Sequence, residues 1–344
     1  MSSHSPQKKK IPFQISVELS QYLTEVGRTQ SIPVQYSDLL RFTNSITLYD
    51  KQGNDTLWLT VCYSPSEMEE LNRELTGMYA ILKNNGDVKA MEHLHVDRID
   101  FCTFGNSKPF RVKIINNYND NYDYYYIKLA DSSRVYGLEW EHVLSPNRIN
   151  YFVNKQTLVE EHIQGIPGDQ FIKNNFSDPT FNPIRVAKEF VKFNERCFVR
   201  LLGDMRSYNY VVDVTPDFED TQYRIRALDF DQQCYEGRKS LYIPQYFKEN
   251  LPFVELCMKH LNKNTIEQYQ SEERSQVARR IRNSKYRVNQ LLNVMMKDEL
   301  STPEKTQTLA EELSKYYSDD AFRSYTTMGG LMKHCLNRLV DHTL

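Results

Sequence analysis

Up to about residue 164 the apolar positions mostly follow strand patterns, and beyond it they recur at helical spacing. SITLYD (45–50) and TLWLTVCY (56–63) read as strands around the turn KQGND. A helix is predicted over 64–83, with Ser64 as N-cap, Pro65 as its first residue and Glu67 as the other half of a capping box. Between 94 and 128, HVDRIDFCTF, PFRVKII and YDYYYIKLA carry alternating, aromatic and β-branched residues and read as successive strands. SSRVYGLEWEHVL is a candidate helix stopped by Ser145-Pro146, followed by the strands INYFV and TLVEEHI. Asn182-Pro183 opens a helix whose apolar residues include Ile184, Ala187, Val191, Phe198 and Leu201. Short strands YVVDV and YRIRALDF flank TPDFEDTQ, and from about Gln245 onward the chain reads as charged helix.

The 344 residues suffice for one large or two ordinary domains with a sizeable core. A net charge of −2 argues against nucleic acid as a partner. VARRIRNSKYRVNQLL (277–292) is a basic exception, read as a surface helix with an apolar stripe. Six scattered cysteines form no CxxC pair, so reduced thiols and a cytoplasmic location are expected. No apolar run has membrane-spanning length. His93 and His95 form a His-x-His pair with no third ligand at a supporting spacing.

The chemistry concentrates in LLGDMRSYNYVVDV (201–214). Phosphoryl transfer needs a carboxylate to take the proton of an attacking hydroxyl, oxygen ligands for magnesium, and cations along the phosphates. Asp204 suits the first task, and Asn209 suits the second through its amide oxygen. Asp229, at the end of RIRALDF, is a second metal ligand, and Asp231 shares its face. Asp-x4-Asn also occurs at Asp169 and Asn174, but only the later pair lies between a long amphipathic helix and a strand–loop–strand ending in LDFD. Taken singly, Asp204 reads equally as a turn cap, Asn209 as a left-handed turn residue and Asp229 as a strand end.

This order of strand-rich lobe, hinge, helix, catalytic loop and metal-binding strand resembles the protein-kinase-like fold. Gly203-Asp204 and LDFD are closer to aminoglycoside and choline kinases than to eukaryotic protein kinases. The resemblance implies an α+β, bilobal fold, with an antiparallel-sheet N-lobe over 91–164 and a mostly helical C-lobe over 165–344. Residues 1–10 are expected to be a disordered tail, and 11–90 an additional N-terminal region of hairpin plus helix.

By the same resemblance, Lys128 clamps the phosphates of ATP and pairs with a glutamate of the next helix, Glu139 in preference to Glu141. Backbone groups around Glu161, His162 and Ile163 would meet adenine. Gly105 and Ser107 belong to a sparse phosphate loop, and Arg206 would contact the transferred phosphate. ATP and Mg2+ are the implied cofactors, with a hydroxyl-bearing small molecule or protein as acceptor. Leu202 stands where the family has histidine, the glycine loop is eroded and no Ala-Pro-Glu follows Asp229. These departures favour the alternative of a pseudokinase-like nucleotide-binding or interaction module. Nucleotidyl transfer with the same metal residues is a third reading.

Overall fold

A computed structural model of the chain describes residues 10–84, 86, 92–104, 107–178, 181–218 and 221–341. They form two compact units, one of residues up to Ser132 with Ile149–His162, the other of Ser133–Arg148 with Ile163 onward. The fold is α+β.

The first unit carries helices α1 (Val17–Glu25), α2 (Tyr36–Leu39) and α3 (Pro65–Asn84). Its strands are β1 (Asn44–Tyr49), β2 (Asp55–Cys62), β3 (Leu94–Cys102), β4 (Phe110–Asn116), β5 (Tyr122–Leu129), β6 (Tyr151–Asn154) and β7 (Thr157–Glu161). All seven join one antiparallel sheet in the order β1-β2-β3-β4-β5-β7-β6. The hairpin β1–β2 therefore extends the same sheet, with Trp58 opposite Cys102 and Thr60 opposite Asp100.

The expected capping box starts α3: the Glu67 carboxylate accepts from the Ser64 hydroxyl at 2.6 Å and from its backbone N–H at 3.1 Å. Leu75, Met78 and Leu82 of α3 then pack on Val96, Ile99, Val112, Ile114, Tyr125 and Ile127 of the sheet. Because side chains alternate across a strand, the opposite face holds Trp58, Asp100, Arg111, Tyr126, Lys128 and Glu160. Residues 1–9 of the expected tail lie outside the described residues. Lys10, the tenth, is buried and bonds Asp131 at 2.8 Å.

The second unit contains α4 (Ser132–Leu144), β8 (Ile166–Pro167), α5 (Gly168–Asn175), α6 (Pro183–Val199), β9 (Tyr210–Pro216) and β10 (Thr221–Ala227). Helices α7 (Leu251–His260), α8 (Lys263–Asn283), α9 (Lys285–Met295), α10 (Pro303–Tyr317) and α11 (Met328–Asp341) follow. The Asn182 side chain caps α6 by accepting from Arg185 N–H, and Pro183 occupies its first position. Val186, Phe190, Phe193 and Cys197 of α6 are buried, and the helix packs on α7, α8 and β10. No helix among the described residues is long and apolar enough to cross a membrane.

Candidate functional site

In the second unit, α6 ends at Val199 and delivers the chain into LLGD. That stretch is stitched to the segment after Asp229: Gly203 N–H donates to the Gln232 carbonyl at 3.2 Å, and Cys234 N–H to the Leu201 carbonyl at 2.9 Å. Leu202 is fully buried. Asp204 has φ +57°, a left-handed conformation uncommon for a non-glycine residue. Such strain collects at functional sites, where the surroundings enforce it. Here Asp204 N–H donates to the Leu241 carbonyl at 3.0 Å.

Asn209 ties the loop together. Its amide nitrogen donates to the Asp204 carbonyl at 2.7 Å. Its own carbonyl accepts from Leu228 N–H at 2.9 Å and from Asp229 N–H at 3.3 Å. Asp204, Asn209 and Asp229 thus form one hydrogen-bonded group. Arg206 joins it: its Nε donates to the Asp204 carboxylate at 2.8 Å and its Nη1 to Glu249 at 2.9 Å. Burial pushes the Asp204 carboxyl above the usual carboxylate range, with Arg206 acting in the opposite direction.

Arg134 is the residue that sequence reading missed. It is 3% exposed on α4, and one of its nitrogens lies 3.0 Å from both the Asp229 and the Asp231 carboxylates. Another donates to the Leu228 carbonyl at 3.2 Å. Gly137, one turn along α4, permits this approach, since a Cβ there would meet the Cβ of Phe230 at 2.7 Å. The available signal was a lone arginine three residues before a glycine in SSRVYGLEWEHVL.

In the first unit, Lys128 is buried and its Nζ donates to Glu160 at 2.9 Å, with the Tyr126 ring centre 5.4 Å away. Antiparallel pairing explains the partner: Lys128 faces Leu158 and Tyr126 faces Glu160, making the lysine and glutamate diagonal neighbours on one face. Within its own unit, the lysine therefore bonds a glutamate of the neighbouring strand. Glu139 accepts from Arg287 at 2.7 Å, while Glu141 bonds Arg200 and Asn147. The Glu161 carboxylate accepts from Asn150 N–H at 2.7 Å, and His162 Nδ1 lies 3.2 Å from the Tyr126 hydroxyl. Burial lowers the His162 pKa. Ile163 is buried in the second unit. Gly105 lies outside the described residues, and Ser107 is half-buried.

His93 stacks on Tyr118, and among the described residues no three His, Cys, Asp or Glu side chains cluster as a metal site. That criterion leaves out an amide oxygen. Magnesium is served by one or two carboxylates with waters and other oxygens, so Asp229 with Asn209 remains a chemically suitable hard-oxygen set. A scan against protein-family models and a search of curated proteins each found no match.

Proposed function

We propose that the protein is an ATP- and magnesium-dependent phosphotransferase acting on a hydroxyl acceptor, within a protein-kinase-like bilobal fold. The observation that carries the reading is the hydrogen-bonded grouping of Asp204, Asn209 and Asp229, which come from a loop and from the segment just after β10, twenty or more residues apart. Asp204 is the base that orients and accepts the proton of the attacking hydroxyl. Asn209 and Asp229 would hold the metal, which neutralises phosphate charge when bound. Arg206 stabilises the transferred phosphoryl group. The family resemblance assigns Lys128 to the phosphates, and the Glu160 carboxylate gives that buried ammonium an anionic partner at 2.9 Å. Glu161, His162 and Ile163 belong to the proposed adenine-contacting hinge.

The second reading, a pseudokinase-like module, draws on Arg134. Its guanidinium already satisfies both carboxylates of LDFD, so a metal ion would have to displace or share with it. One experiment separates the two. The thermal midpoint of the full chain is measured with ATP, with and without magnesium, for the wild type and Asp229→Asn. A magnesium-dependent rise of a few degrees that shrinks in Asp229→Asn supports the phosphotransferase reading, since a hundredfold excess over the dissociation constant stabilises by about 2.7 kcal/mol. No rise at millimolar ATP overturns it in favour of the non-catalytic module.

A further inference from the structure

A cavity lies wholly within the second unit, where α6, α8, α10 and α11 converge. Its volume is about 300 Å³, at the lower end of the range for small-molecule sites. Phe198, Val199, Tyr317 and Leu339 supply apolar wall. Two arginines enter it with different commitments. Arg274 gives one nitrogen to Glu195 at 3.1 Å. Arg338 gives one to Asp319 at 2.5 Å, lies over the Tyr317 ring at 5.0 Å, and has its Nε buried with no hydrogen-bond partner among the described residues.

We infer that this cleft binds a small monocarboxylate with an apolar, ring-sized body. A guanidinium has five N–H donors in a planar fork matched to carboxylate geometry, and the bonds to Glu195 and Asp319 engage one nitrogen of each arginine. The two arginines are balanced by Glu195 and Asp319, so the ligand is held by the remaining N–H donors of the forks rather than by net charge. The aromatic and aliphatic wall accepts the body of the ligand. This inference does not depend on phosphoryl transfer.

Phenylacetate is the probe, with phenylacetamide as its uncharged counterpart, titrated into the full chain by calorimetry and ligand-observed NMR. Ser271 sits exposed at the cleft, so Ser271→Phe blocks the entrance without disturbing the core. Phenylacetate is expected to bind with a dissociation constant of about 1 mM, and the amide about tenfold more weakly. Ser271→Phe is expected to abolish binding, and Arg274→Gln to weaken it about tenfold. Absence of phenylacetate binding at about 20 mM, equal affinity for the amide, or unchanged affinity in Ser271→Phe would each overturn the inference. A loss in Ser271→Phe with its thermal midpoint unchanged excludes unfolding as the cause.

Discussion

Replacing Arg134 by methionine removes the cation between two carboxylates while keeping most of the side chain's volume. Because both oxygens lie 3.0 Å from one nitrogen, they are at most about 6 Å apart, where two unit charges at an effective dielectric of about 20 repel by roughly 3 kcal/mol. The Asp231 side chain is only 9% exposed and feels nearly all of this, whereas Asp229 at 35% is partly screened. A loss of about 2–4 kcal/mol is therefore expected, within or just below the usual cost of breaking a buried pair. For a cooperative unit of about two hundred residues this lowers the thermal midpoint by roughly 4–16 °C. The assay is thermal unfolding of wild type and Arg134→Met in a chelator and in excess magnesium. Magnesium should restore much of the loss in the variant, because a divalent ion can stand between the two carboxylates in place of the guanidinium; at a hundredfold excess the gain is about 2.7 kcal/mol. A variant as stable as the wild type would refute the electrostatic argument. A destabilised variant indifferent to magnesium would refute the metal assignment of Asp229.

Two further outcomes follow from the same group. Asn209→Ala removes the donor to the Asp204 carbonyl, but Arg206 N–H also donates to that carbonyl at 2.8 Å. The stability loss should therefore stay near 1 kcal/mol in denaturant titration, while the magnesium-dependent effect of ATP is lost. Because burial raises the Asp204 pKa above its ordinary value of 3.8, the acid limb of a turnover–pH profile should lie above that value. The same shift makes Asp204's contribution to stability largest at low pH and lost as pH rises through the raised pKa, so Asp204→Asn should flatten that part of a stability–pH curve.

Local pattern made much of the fold legible. Ser64, Pro65 and Glu67 announced α3, Asn182-Pro183 announced α6, and the window 132–144 is the observed α4. Each signal is a capping or periodicity effect acting within a few residues. Helices α1 and α5 went unread although Ser16 caps α1 and Leu19, Tyr22 and Leu23 recur at helical spacing, because each spans only two to three turns. The spacing of Asp204 and Asn209 was likewise local, and their hydrogen bond spans five residues. The partner of Lys128 was not legible. It depends on β5 pairing with β7 in one register across some thirty residues, and a shift of one residue would turn Glu160 to the other face. Arg134 was hidden for the same reason, since its link to Asp229 joins positions 95 residues apart.

The central claim is that Asp204 is the base for phosphoryl transfer from ATP. Its most direct test follows the γ-phosphate of labelled ATP into a panel of hydroxyl acceptors, comparing wild type with Asp204→Asn at saturating ATP and magnesium. The account predicts transfer by the wild type and a fall in kcat of about 10²–10⁴-fold in the variant, with ATP affinity retained. Transfer at the wild-type rate by Asp204→Asn would contradict it.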